Sequence, residues 1–274
     1  MTLSAQLSVA SIQMVSSPSW EDNLNSASTL ISAAKSAGAT LIALPEYFCL
    51  MGHTDQDKVK ICEKFGDGPI QHALKNLATQ HQIYLVAGTI PIASTNIHKV
   101  KNSTLVFNPS GDVISRYDKI HLFGFQQDHE SYQESNTIEA GNVPTSFTIH
   151  HQNTEWRLGL SICYDLRFPE LYRTIGPVDC HIIPAAFTYT TGKAHWEILL
   201  RARAIENQCY VLASAQGGTH ENGRSTWGQS MLINPWGAIE SELKNGEGFV
   251  MGSIKKNFIH ETRTKLPALK HRTL

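Results

Sequence analysis

Apolar positions along this chain switch repeatedly between a period of two and a period of roughly 3.6. Residues 5–14 (AQLSVASIQM) alternate apolar and small polar side chains with β-branched residues among them, which predicts a strand. Over 20–37, Leu24, Ala27, Leu30, Ile31 and Ala34 share one helical face, and Gly38 is placed to end the helix. A buried strand is expected at 40–44, stopped by Pro45, then a helix over 69–80 and a strand over 83–88. Strands at 103–107 and 112–117 flank the turn signal Asn108-Pro109-Ser110-Gly111, which predicts an antiparallel hairpin. Residues 122–143 are polar and read as irregular. A strand at 156–162 runs into Cys163; a helix at 169–175, a strand at 181–184, an amphipathic helix at 194–207 and strands at 209–215, 226–233 and 249–254 complete the pattern. Helices and strands alternating in this way, with hairpins mixed among them, imply a layered α/β protein with mixed sheets. No linker, low-complexity tract or obvious repeat interrupts residues 1–274, so one continuous domain is expected.

Composition mainly excludes. With 41% apolar and 17% charged residues and a formal net charge of −1, the chain has the balance of an ordinary globular protein and no broad electrostatic footprint for nucleic acid or anionic membrane. No run approaches the ~18 apolar residues of a membrane span, and the N-terminus lacks the basic and apolar regions of a secretion signal. The five cysteines form no CxxC pair, which fits free thiols in a reducing, cytoplasmic setting. Without a secretion signal, the sequon Asn102-Ser103-Thr104 reads as chance. His121 and His129 invite a metal, but no Cys/His/Asp set has ligand spacing, so neither metal nor cofactor is expected.

Three residues stand at the ends of predicted strands. Cys163 lies at a strand-to-helix elbow, where a nucleophile is presented beside backbone N–H donors; taken alone, it reads first as a small core hydrophobe. Glu46 follows Leu-Pro after a buried strand, where a carboxylate is costly without a task or a partner, and this shifts the balance. Lys119, alone a solvated surface charge, directly follows the strand ending near Asp118. A carboxylate can take a thiol proton, a thiolate can attack a carbonyl, and an ammonium can stabilise the oxyanion.

The segments LPEYF (44–48), YDKIHLF (117–123) and CYDLRFPELYR (163–173) resemble, in order and spacing, the three signature boxes of the nitrilase, or carbon–nitrogen hydrolase, superfamily. Residues 184–216 and 228–237 are similar to its Nit branch, whose amidases act on 2-oxoglutaramate or on deaminated glutathione; TTGKAHWE (190–197) and the tail LPALKHRTL (266–274) are closer to the second. The resemblance implies a four-layer αββα sandwich, a homodimer and a small-molecule amide substrate. It gives Glu46 as general base, Lys119 as oxyanion stabiliser and Cys163 as nucleophile, with Glu134 as a supporting carboxylate (Glu130 lies close by). Tyr164, Phe187, Thr188 and Thr191 are expected at the substrate, the last three in a loop. Arg167 and Arg173 are placed either to pair with a substrate carboxylate or to form structural ion pairs. Arg201 and Arg203 read as helix partners of Glu197 and Glu206, and the loop 217–224 as the mouth of the pocket. Loss of a triad residue would have suggested a catalytically idle binding protein; all three are present.

Overall fold

The computed structural model describes residues 5–127 and 130–273. The first half runs through β1 (Gln6–Gln13), α1 (Trp20–Ser36), β2 (Leu41–Ala43), the short α2 (Asp57–Lys60), α3 (Pro69–His81), β3 (Tyr84–Val86), β4 (Ile90–Ala93), β5 (Val100–Phe107) and β6 (Val113–Asp118). A small hairpin, β7 (Gly124–Gln127) and β8 (Glu130–Gln133), then leads to β9 (Thr145–His151), β10 (Thr154–Leu160), α4 (Pro169–Ile175), β11 (Cys180–Ala185) and α5 (Tyr189–Asn207). The chain closes with β12 (Tyr210–Ala215), the hairpin β13 (Gly217–Thr219) and β14 (Ser225–Trp227), β15 (Ser230–Ile233), β16 (Ile239–Leu243), β17 (Gly248–Lys255) and α6 (Lys256–Lys265).

Two large sheets result. One orders its strands β17-β1-β2-β3-β5-β4, with β6 also on β5; the other is β16-β15-β12-β11-β10-β9. Each has a parallel centre, β1-β2-β3 or β10-β11-β12, because a helix-bearing crossover separates those strands. Antiparallel strands flank both centres.

The sheets stack face to face. Leu7, Val9, Leu41 and Val86 of the first share a core with Trp156, Leu158, Ile182 and Leu212 of the second, and α4 and α5 cover the second sheet through Leu171, Tyr172, Trp196 and Leu200. The opposite face of the first sheet packs Ile12, Ile42 and Leu85 under Ala27, Ile31 and Ala34 of α1 and Ile70, Leu74 and Ala78 of α3. This is the four-layer αββα sandwich. Each large apolar side chain in it contributes about 1.5–3 kcal/mol by leaving water. Serines cross the apolar middle because each finds a backbone partner: the Ser214 hydroxyl donates to the Ala43 carbonyl at 3.0 Å, and the Ser11 hydroxyl to that of Ala213.

Several elements depart from the periodicity. The segment 122–143 holds the β7–β8 hairpin and a 3-10 turn at Glu134–Asn136, where polar side chains hid the strands. Helix α5 begins at Tyr189 rather than 194, since the Thr188 hydroxyl caps it by accepting from the Thr191 N–H. β4, β9, β16 and α6 carry little apolar periodicity, being short or half exposed. Among the described residues, no helix is long and apolar enough to cross a membrane.

Candidate active site

Glu46, Lys119 and Cys163 converge at the ends of β2, β6 and β10. After β2 the chain turns at Pro45, and Tyr47 takes a positive φ of 55°. Gly88 packs against this turn so closely that a Cβ there would lie 2.1 Å from the Pro45 oxygen. The Tyr47 N–H donates to Thr89 Oγ1 at 2.9 Å, and Gln216 Nε2 holds the Glu46 carbonyl at 3.1 Å. The Glu46 carboxylate is buried and accepts from Asn102 Nδ2 (3.0 Å), Lys119 Nζ (2.9 Å) and the Ala186 N–H just beyond β11 (2.9 Å).

Lys119 has a side chain with no exposure, and its ammonium also lies 2.8 Å from Glu134. Glu134 is held in turn by the Tyr47 hydroxyl and the Phe123 N–H, each at 2.7 Å. Burial works to lower the lysine's pKa, but the two carboxylates outweigh it and hold the ammonium well above the usual range. Burial raises both glutamates and the Lys119 charge opposes it. The net result is a Glu46 carboxyl above the ordinary value and a Glu134 carboxyl below it.

Cys163 opens a 3-10 turn, Cys163–Arg167, with φ of 49°, a left-handed conformation that costs a non-glycine residue on the order of 1–3 kcal/mol. Asp165 offsets that cost. Its buried carboxylate accepts from the Ile162 N–H (2.9 Å), the Tyr117 hydroxyl (2.7 Å) and the His121 N–H (3.0 Å), tying the elbow to the segment that carries Lys119. From α5, Arg203 clamps the other end of the turn, donating to the Leu166 carbonyl at 3.0 and 2.8 Å. Burial, then the Glu46 charge, push the Cys163 thiol well above the usual cysteine range; Lys119 pulls the other way without reversing it. The Glu46 carboxylate and the Lys119 ammonium both act electrostatically on the thiol. A resting thiol beside a carboxylate of raised pKa can pass its proton there as it attacks, with the ammonium beside the developing oxyanion.

A cavity of about 210 Å³ opens over Cys163, lined by Phe123, Tyr164, Arg167, Ala186, Phe187, Thr188 and Thr191. The structure thus gathers five of the six substrate-site residues expected from sequence around the thiol. Thr188 and Thr191 sit at the start of α5 rather than in a loop. Arg167 rests 5.7 Å from the Tyr164 ring and 5.4 Å from that of Phe187, near His195 Nδ1, with no carboxylate partner among the described residues. Arg173 is not brought to the cavity; its guanidinium donates to the Glu206 carbonyl beside a separate surface cleft. Arg201 pairs with Glu197, whereas Arg203 pairs with Glu206 and also holds the elbow. His129 lies outside the described residues. Among those described, no group of three or more His, Cys, Asp or Glu side chains is arranged to hold a metal ion.

Asn102, Asp165, Tyr117 and Tyr47 were not anticipated as site residues. Asp165 stands two positions after the cysteine, and a buried carboxylate so close to an elbow was the available signal. Asn102 had none, since its amide meets Glu46 only through strand pairing.

The carbon-nitrogen hydrolase family profile matches residues 8–264. The chain belongs to that family. A Synechocystis protein named deaminated glutathione amidase is 38% identical over 267 residues, covering 96% of this chain and 97% of that one. A human protein of the same name is 33% identical, with coverage of 96% and 81%. Saccharomyces cerevisiae Nit3, described as a member of branch 10 of the nitrilase superfamily, superposes with a TM-score of 0.86 at 30% identity over 99% of this chain and 98% of that one. This carbon-nitrogen hydrolase is an enzyme of the amidase type, acting on non-peptide C–N bonds.

Proposed function

We propose that this carbon-nitrogen hydrolase cleaves deaminated glutathione to 2-oxoglutarate and cysteinylglycine through a thioester acyl-enzyme. Glu46 takes the Cys163 proton as the sulfur attacks the amide carbonyl, and Lys119 stabilises the oxyanion. Collapse breaks the C–N bond, and the proton from Glu46 leaves on the departing amine. Water, deprotonated by Glu46, then releases the acid and restores the thiol. The observation that carries this reading is the fully buried Lys119 ammonium, 2.9 Å from Glu46 and 2.8 Å from Glu134, with the Cys163 thiol within the electrostatic reach of all three. The names of the relatives support the substrate, as does Arg167, a guanidinium in the cavity without a carboxylate partner among the described residues. Five free thiols support a reducing, cytoplasmic setting, and exposed Ile198 and Trp236 support a homodimer.

The test is steady-state kinetics on two compounds that share an acyl half. kcat/KM for deaminated glutathione is expected to exceed that for 2-oxoglutaramate by at least ~10-fold, about 1.4 kcal/mol in transition-state binding. Equal values, or a preference for the smaller amide, would make the protein an ω-amidase with the same triad.

The direction of the Glu46 shift sets the acid limb. A base works only when ionised, so activity is lost as pH falls through its pKa, and burial raises that pKa above the ordinary 4.5. Glu134 shifts the opposite way and stays ionised across that window. A kcat/KM profile is therefore expected to fall with an apparent midpoint above 4.5; a midpoint at or below it would rule Glu46 out as the controlling base.

A further inference from the structure

Glu134 separates two cavities. One of its oxygens takes the Phe123 N–H, on the wall of the cavity over Cys163; the other takes the Tyr47 hydroxyl. The Tyr47 side chain borders a second cleft of about 280 Å³, lined also by Met51, Gly52, Asp55, Lys58 and Arg224. The mechanism above uses none of these last five residues.

This second cleft is short of negative charge. The Lys58 side chain is only 14% exposed, with its ammonium 5.8 Å from the Tyr47 ring centroid, 3.2 Å from Thr137 Oγ1 and 3.3 Å from an Asp55 carboxylate that is itself 58% exposed. Burial lowers the Lys58 pKa, and Arg224 adds to that effect while Asp55 and Glu134 oppose it. Arg224 lies 4.8 Å from the Tyr132 ring and has no carboxylate partner among the described residues. The two cations thus have the solvated Asp55 carboxylate and a Glu134 carboxylate already paired with Lys119, and holding a largely buried ammonium beside a guanidinium is costly unless a further anion joins them. The cleft is also firmly built. Asn222 Nδ2 donates to the Gly52 carbonyl at 2.6 Å, fastening the loop that carries Arg224 to the loop that leads to Lys58.

We propose that Lys58 and Arg224 form an anion subsite for the terminal carboxylate of the leaving group, so that this enzyme selects amides whose amine half is a short, carboxylate-ended peptide. The inference rests on the deaminated glutathione reading. At about 3.5 Å per extended residue, the carboxylate of a two-residue leaving group lies about 7 Å from the scissile nitrogen. That carboxylate is then placed on the Tyr47 side of Glu134. Paired cations recognise a carboxylate by charge-assisted hydrogen bonds, and Arg224 offers a bidentate fork. The acyl half stays with Arg167 on the opposite side of Glu134.

The experiment compares deaminated glutathione with its C-terminal carboxamide, which differs only in that charge. In the wild type, kcat/KM is expected to favour the acid by at least ~10-fold. Lys58→Gln and Arg224→Gln are each expected to reduce that ratio by about tenfold, through KM rather than kcat, while Lys58→Arg and Arg224→Lys keep most of it. A wild type that hydrolyses the acid but does not distinguish it from the carboxamide, or Gln variants that lose both substrates in parallel, would overturn the subsite and leave the substrate standing. A wild type with no turnover of deaminated glutathione would overturn both.

Discussion

Cys163→Ala is expected to lower kcat by on the order of 10⁵–10⁶, the scale seen when a hydrolase loses its nucleophile, with the fold intact. Alanine keeps a side chain at φ 49° and removes one sulfur atom at the edge of a cavity, so thermal unfolding is expected to shift little. The thiol has no substitute nearby. Cys49, Cys180 and Cys209 are buried, and burial pushes their thiols up, that of Cys209 to about 12. Burial also raises Cys163, which differs in having the Glu46 and Lys119 charges acting on it and a cavity over it. Reactivity here depends on a base at the moment of attack rather than on a standing thiolate. Mass spectrometry of enzyme trapped with substrate should find the acyl adduct on the peptide containing Cys163. An adduct on any of the other four cysteines would reassign the nucleophile.

Lys119→Arg is expected to be nearly as damaging as Lys119→Ala, each costing about 10²–10³ in kcat by removing the donor from the oxyanion. The ammonium fills a space with no exposure between two carboxylates at 2.9 and 2.8 Å, and a planar guanidinium does not fit where a compact charge made both contacts. The two variants should differ in stability. Alanine leaves Glu46 and Glu134 buried together without a counter-charge, at about 3–5 kcal/mol; arginine keeps the charge and loses less. Circular dichroism melts beside kcat separate the effects. A Lys119→Arg enzyme with half the wild-type kcat would make Lys119 structural only.

What the sequence determined by itself was local. The helix over 20–37 followed from one apolar face, and α1 buries Ala27, Ile31 and Ala34 of that face. The strands before Pro45 and Cys163 were legible because short apolar runs met turn residues, and alternation of elements announced mixed sheets. The three boxes identified the family, since residue order is a property of the chain alone. Tertiary structure decided which strand ends meet. Lys119 and Glu46 are 73 positions apart, and the Ala186 N–H reaches Glu46 across 140. Strand order within the first sheet brings Lys119 to Glu46, stacking of the second sheet brings the Ala186 N–H, and no periodicity encodes either partner. For the same reason Asn102 read as a stray sequon, Asp165 passed unnoticed, and Arg173, the last residue of a signature box, points away from the cavity that Arg167 lines. A residue's own neighbours set its backbone; what its side chain touches is set by the sheet, helix or loop packed against it.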